Sequence, residues 1–141
     1  MKIRDIMTKD IATLRSDDSI EKAARLMKQY DVGSIPVCTG DKIIGIITDR
    51  DIAVRSVAPG QVDNQRVGDV MSTDLVIGNP DMDVQDAASI MSDRQIRRLP
   101  IVENNSLVGI VSLGDISLEP TAGSSAQEAL KNISEPGGHI I

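Results

Sequence analysis

The sequence predicts an α+β fold in which one strand-helix-strand-strand-helix unit is used twice, its helices covering one face of a small sheet. Three observations carry that expectation. The chain aligns with itself at an offset of 64 residues without a gap, so that Asp5-Ile6-Met7 falls on Asp69-Val70-Met71, Ala23-Ala24 on Ala87-Ala88, Met27 on Met91, and Gly45 on Gly109. About a dozen positions are identical and most others keep their class, as expected of a duplicated supersecondary unit. In each copy a helical apolar stripe is followed by two short runs of strand length. Each copy then closes on one pattern, Gly45-Ile46-Ile47-Thr48-Asp49-Arg50-Asp51-Ile52 and Gly109-Ile110-Val111-Ser112-Leu113-Gly114-Asp115-Ile116. A half of roughly 55 to 60 residues buries little core alone, so the halves are expected to pack sheet to sheet about a pseudo-twofold axis. The interface between them is a candidate cleft.

The elements follow in order. Ile3, Ile6 and Met7 suggest an irregular start or a short helical turn, and Ile11-Ala12-Thr13-Leu14 a short strand. Asp18-Ser19-Ile20-Glu21 has a capping residue with a glutamate three positions on, and Ile20, Ala23, Ala24 and Met27 then form one apolar stripe. Val32 to Thr39 reads as a strand in which Pro36, having no N–H, marks an edge or a start. Thr39-Gly40-Asp41-Lys42 is the turn into the apolar run Ile43 to Ile47, and a helix begins near Thr48. The turn-rich stretch around 59–66 is the linker, which places the first motif at 1–58 and the second at 67–119. The second copy repeats the order, with Asp83 capping a helix that carries Val84, Ala87, Ala88 and Met91, and strands Ile96 to Val102 and Leu107 to Val111. In the tail, 120–141, Ser125 to Ile133 has Ala126, Ala129, Leu130 and Ile133 on one side of a short helix, and the glycine-rich end should fray.

Composition excludes several functions. The chain has 141 residues, 40% hydrophobic and 26% charged, values of an ordinary globular protein. A net charge of −6, a pI near 4.7 and a single aromatic residue, Tyr30, argue against nucleic-acid binding, which needs a basic surface and rings for base stacking. Cys38 is the only cysteine, so no intrachain disulfide or thiol zinc cluster is expected, and beside Val37 it reads as a buried inert thiol. The lone histidine, His139, lies in the glycine-rich tail and is given no role. No signal-peptide or transmembrane run occurs, so the cytoplasm is the expected location and no membrane contact is expected. The methionines fall at repeat-equivalent or helical positions and read as core filling. There is no phosphate-binding glycine loop and no histidine placed to activate a nucleophile, so no enzyme is expected and no cofactor is required.

Two features remain as candidate chemistry. Thr48-x-x-Asp51 and Ser112-x-x-Asp115 are capping boxes, in which the hydroxyl receives a first-turn amide and the carboxylate reaches back. The same groups could take the hydroxyls of a ribose, and spacing alone favours the cap. Arg94, Arg97 and Arg98 form a basic cluster in an acidic chain, and the forked donors of Arg97 and Arg98 suit phosphate oxygens. At the matching positions the first copy has Gly33-Ser34, so a phosphate contact there would come from backbone amides, Ser34 or Arg50, and the two sites would not be equivalent.

The doubled pattern, with Val32-Gly33-Ser34-Ile35-Pro36-Val37 and Thr48-Asp49-Arg50-Asp51 answered by Arg97-Arg98-Leu99-Pro100-Ile101 and Ser112-Leu113-Gly114-Asp115, resembles the cystathionine-β-synthase (CBS) domain family over residues 3 to about 118. The resemblance implies two β-α-β-β-α motifs packed through their sheets, a Bateman module that forms disc-like homodimers. It also implies an adenosine-containing regulatory ligand of the AMP, ADP, ATP, S-adenosylmethionine or NAD type. By that resemblance Asp51 and Asp115 match the ribose-binding aspartate, and Thr48 and Ser112 its hydroxyl partner. Arg97 and Arg98 lie where phosphate is contacted, while Ile35, Pro36, Leu99 and Pro100 line the adenine slot, with Thr13 near the base. Ile77 replaces Thr13 in the second copy, and Leu113-Gly114 replaces Asp49-Arg50, so the clefts should differ in polarity and one of them could stand empty. The function expected is an energy or metabolite sensor acting through a separate effector protein or through the dimer. The alternative is a ligand-free dimerisation or interaction module in which the motifs are caps only.

Overall fold

The computed structural model describes residues 1–119 and 123–135; the expectations for His139 and the end of the chain lie outside them. The chain forms two compact units that cut across the sequence repeat. One is continuous, Ala12–Leu75. The other is discontinuous and joins Met1–Ile11 to the chain from Val76 on. The lead-in segment of each repeat therefore packs with the hairpin of the other repeat, an exchange that a sequence period does not reveal.

In the continuous unit, helix α1 (Ile20–Tyr30) begins at Ser19, whose hydroxyl receives the amide of Lys22. Ser19 and not Asp18 is the cap. Asp18 instead takes the Arg15 amide at 2.8 Å and the Lys22 ammonium at 3.2 Å, and its carbonyl receives the amide of Val67. Strands β1 (Ser34–Thr39) and β2 (Lys42–Thr48) form an antiparallel hairpin whose two-residue loop opens with Gly40 at φ 59°. The predicted strand at Ile11–Leu14 reduces to one parallel bridge, Leu14 to Val37. Through it Leu14 donates to the Pro36 carbonyl and Cys38 donates back. Pro36 thus turns its N-less side away from β2 and costs the hairpin no hydrogen bond. Helix α2 (Asp49–Ile52) continues as a π-helical turn, Ala53–Val57, and α3 (Val67–Val70) follows. Leu14, Ile20, Ala23, Met27, Ile35, Val37, Ile47, Ile52, Val67 and Val70 make one core.

The discontinuous unit repeats the plan with α4 (Val84–Arg94), β3 (Arg98–Glu103), β4 (Ser106–Ser112) and α5 (Leu113–Ser117). Asp83 stands at the start of α4 but makes no side-chain cap bond, contrary to the expectation from sequence. Asn104 and Asn105 take φ of 53° and 66° in the β3–β4 loop, the conformation a primed hairpin turn requires. The first strand again shrinks to one bridge, Gly78 to Ile101. Helix α6 (Gly123–Ile133) lies across α4 and α5 and buries Ala126, Ala129 and Ile133, whereas Leu130 is exposed. Its Asn132 donates to Ser92 Oγ and receives the Gln95 side-chain amide on its carbonyl. Among the described residues this helix has no counterpart on α1 and α2. Ala88 is therefore buried while its repeat partner Ala24, expected in the apolar stripe of α1, is exposed.

The lead-in segments dock through glycine. Thr8 and Ile110 exchange two backbone hydrogen bonds of 2.8 and 2.9 Å, and Met7 Sδ lies over Gly109; Ser72, Ile46, Met71 and Gly45 repeat the arrangement in the continuous unit. At the exposed edge of the discontinuous unit, Arg4 Nη2 meets Asp81 at 2.8 Å and Glu103 at 3.3 Å. The Arg4 guanidinium holds the Asp81 carboxyl below the usual carboxylate range.

Asp18 gives a pH prediction. Burial pushes its carboxyl up, but the Arg15 amide and the charges of Lys22 and Arg15 outweigh burial, and the net effect lies below the ordinary value. A lowered carboxylate pKa in the folded state stabilises above the unfolded value, about pH 4, and that contribution disappears as the pH falls through the folded value. Asp18→Asn is therefore expected to be less stable than the parent protein at pH 7 and to converge with it as the pH falls through the folded value. Urea unfolding across pH 2 to 7 reads the difference; parallel curves for the two proteins would contradict the assignment.

Candidate functional site

A bulge in each hairpin fixes the geometry of the candidate sites. Counting back from the turn, an unbroken ladder would set Ser34 opposite Ile47. The shift between Val37 and Cys38 instead sets Ser34 opposite Thr48, and the same shift between Ile101 and Val102 sets Arg98 opposite Ser112. Directly opposed residues share a face of the sheet. The hydroxyl of each motif therefore faces Ser34 in one unit and Arg98 in the other.

Both capping boxes form. Thr48 N–H donates to Asp51 Oδ2 and Asp51 N–H to Thr48 Oγ1, both at 3.0 Å. Ser112 and Asp115 repeat the pair at 2.9 and 3.0 Å. The cap uses one oxygen of each carboxylate and only the acceptor side of each hydroxyl. Among the described residues Asp115 Oδ1 has no partner, and Asp51 Oδ1 has only the Arg55 guanidinium 4.0 Å away. Each motif thus keeps a carboxylate oxygen and a hydroxyl proton available, and capping does not preclude binding. Thr48 is 7% exposed and Ser34 8%, and among the described residues no hydrogen bond engages the Ser34 side chain.

The two sites differ in detail. In the continuous unit Asp49 donates its amide to the Gly33 carbonyl, takes the Arg50 amide on Oδ1 at 2.8 Å, and lays its carboxylate over the bare Cα of Gly33. A Cβ at Gly33 would stand 3.2 Å from Asp49 Oδ2. In the discontinuous unit Leu113 makes the matching bond to the Arg97 carbonyl, but its side chain joins the core. Arg97 is exposed and Arg98 half-buried, and neither is ion-paired among the described residues.

The other expected site residues are placed as follows. Ile35 and Leu99 are core residues at 1% and 0% exposure, so only their backbone can meet a ligand. Pro36 and Pro100 are buried, while Thr13 and Arg50 are exposed. Cys38 is free and buried, and burial, with Asp41 nearby, pushes its thiol up, away from nucleophilic character. Sequence reasoning missed Arg55, although its place four residues after Asp51 on one helix was a readable signal. It also donates to the Val70 carbonyl at 3.2 Å. Among the described residues no cluster of histidine, cysteine, aspartate or glutamate could hold a metal, and no helix is long and apolar enough to cross a membrane.

A doubled helix-and-hairpin unit, each copy closing on a hydroxyl-x-x-aspartate box, defines a CBS domain pair. The chain belongs to the CBS domain family, whose sequence profile matches residues 3–57 and 67–119. It is 48% identical over 137 residues to the CBS domain-containing protein YhcV of Bacillus subtilis, covering 97% of this chain and 98% of that one. Hypoxic response protein 1 of Mycobacterium tuberculosis is 30% identical over 116 residues, 81% of each chain. Among solved structures, the CBS domain pair of protein MJ0100, in complex with 5′-methylthioadenosine and S-adenosyl-L-methionine, superposes with a TM-score of 0.74 at 29% identity, over 83% of this chain and 93% of that one.

Proposed function

We propose that this chain is a non-catalytic regulatory module that binds an adenosine-containing ligand through its Thr48–Asp51 and Ser112–Asp115 motifs and reports an energy or metabolite state. The observation that carries the reading is the half-used carboxylate. Each aspartate spends Oδ2 on its cap and keeps Oδ1 beside an unspent hydroxyl proton, the acceptor and donor pair that a vicinal diol can satisfy. Support comes from the MJ0100 domain pair, whose ligands are both adenosyl compounds. The ligand would come from the cytoplasmic pool, and the output would pass through a homodimer or a separate effector protein.

A second reading has an observation in its favour, since both caps are complete without any ligand. In that reading the module only dimerises or holds a partner. A thermal-shift screen against adenosine, AMP, ADP, ATP, S-adenosylmethionine and NAD, with guanosine compounds as controls, separates the two. A ligand at about 100 times its dissociation constant adds about 2.7 kcal/mol of stability, a readily measured shift. A shift from an adenosyl compound and none from guanosine is the expected result. No shift with any of them, in protein freed of co-purified nucleotide, would contradict the sensor reading and leave the scaffold.

A further inference from the structure

The six methionines divide by what they touch. Met27 and Met91, on α1 and α4, are 8% and 0% exposed and fill the two cores, and Met1 is exposed at the chain start. Met7 and Met71, which are repeat partners, are half-buried on the lead-in segments, and each lies on a glycine of its hairpin. A Cβ at Gly109 would stand 2.6 Å from Met7 Sδ, and one at Gly45 2.6 Å from Met71 Sδ, so each sulfur occupies space that only glycine leaves open. The next residue of each segment is clamped to the same hairpin. Thr8 and Ile110 exchange two backbone bonds of 2.8 and 2.9 Å, as do Ser72 and Ile46. Gly109 and Gly45 stand three residues before the motif hydroxyls of Ser112 and Thr48. Met82 Sδ also lies against a glycine, Gly78, but Leu99 and Ile101 crowd the same spot and Asp18 holds its repeat position. The single cysteine, Cys38, is buried and offers no competing group for oxidation.

We propose that Met7 and Met71 are paired oxidation sites at which a peroxide loosens each lead-in segment from its hairpin. A sulfur lone pair attacks one oxygen of hydrogen peroxide and the O–O bond breaks. The departing hydroxide takes the proton from the transferred oxygen and leaves as water. The thioether is thereby oxidised by two electrons to a sulfoxide, and the peroxide is reduced. Oxidation follows exposure, which favours Met7 and Met71 over the buried Met27 and Met91. A sulfoxide is polar, and its oxygen requires a donor. The amides that follow the two glycines are already spent, Ile110 on the Thr8 carbonyl and Ile46 on the Ser72 carbonyl. The new oxygen therefore turns to water and draws the sulfur off the glycine. Because sulfoxide reductases restore the thioether, the change is reversible. The proposal does not depend on the adenosyl reading.

Peptide mass mapping of the full chain after timed exposure to hydrogen peroxide tests the chemistry. Met7 and Met71 are expected to gain an oxygen at least about tenfold faster than Met27 and Met91. Amide hydrogen exchange of the same samples tests the consequence. The amides of Thr8, Ile110, Ser72 and Ile46 should exchange at least about tenfold faster once oxidised, whereas those of Ala23 and Ala87 at the starts of α1 and α4 should be unchanged. Treatment with methionine sulfoxide reductases should restore the original rates. The Met7→Leu, Met71→Leu double variant keeps an apolar side chain of similar volume at both places and should no longer respond to peroxide. Met82→Leu should respond like the parent protein. Equal oxidation of all the internal methionines, oxidation without faster exchange at the four amides, or a response that survives in the double variant would each overturn the proposal.

Discussion

Valine in place of Gly109 is expected to destabilise the protein by about 3 kcal/mol, the upper range for an overpacked interior site. A Cβ there would stand 2.6 Å from Met7 Sδ, 2.9 Å from Met7 Cγ and 3.1 Å from the Thr8 carbonyl. The thioether could swing aside, but Thr8 is clamped by its two hydrogen bonds to Ile110, so relief requires the lead-in segment to move off the hairpin. That would also uncover Ile3, which is fully buried in the core of the discontinuous unit. Gly114→Ala is the control, since a Cβ there meets only Ser112 Oγ at 3.6 Å. It should leave stability unchanged or raise it slightly, because alanine outranks glycine in a helix. Urea unfolding of both variants reads the contrast, and equal midpoints would show that Gly109 is not a docking position.

Much of the fold was legible because its signals are local. The apolar stripes of α1 and α4, the turns at Gly40 and at Asn104-Asn105, and the repeat itself are written in short-range spacing. What was not legible depends on distant partners. The strands expected near Leu14 and its counterpart became single parallel bridges to Val37 and Ile101, because their neighbours lie more than twenty residues away and offer one contact each. The exchange of lead-in segments keeps the period of 64 intact and so leaves no trace in a self-alignment. Ala24 belongs to a sound apolar stripe, yet it stays exposed because α6 covers only the other copy.

The candidate site divides in the same way. The hydroxyl-x-x-aspartate boxes were readable as caps, and both are present. That one carboxylate oxygen of each remains unspent is a matter of geometry and could not be read from spacing. The bulge that turns Ser34 toward Thr48 and Arg98 toward Ser112 was equally hidden, since an apolar run such as Lys42–Thr48 carries no mark of the shifted register. Ile35 and Leu99 stand at the expected strand start with their side chains in the cores, so that any contact with a base there falls to their backbone, which spacing could not tell.

Asn in place of both Asp51 and Asp115 is expected to abolish tight adenosyl binding while leaving the fold almost untouched. An asparagine carbonyl can accept the Thr48 or Ser112 amide as Oδ2 does now, so the cap persists and stability should change by no more than about 0.5 kcal/mol. The side-chain amide nitrogen then takes the place of Oδ1 and offers a donor where a ribose hydroxyl needs an acceptor. Losing a hydrogen bond to a charged group costs about 1.5–3 kcal/mol, so affinity at each site should fall by about tenfold to a hundredfold or more. Alanine at the same positions would remove cap and ligand contact together and could not separate them. The decisive measurement is calorimetric titration of the parent protein and of the Asp51→Asn, Asp115→Asn double variant with the adenosyl compound that shifts melting most, with urea unfolding of both in parallel. The sensor account requires unchanged unfolding and lost affinity; unchanged affinity in a variant that folds normally would contradict it.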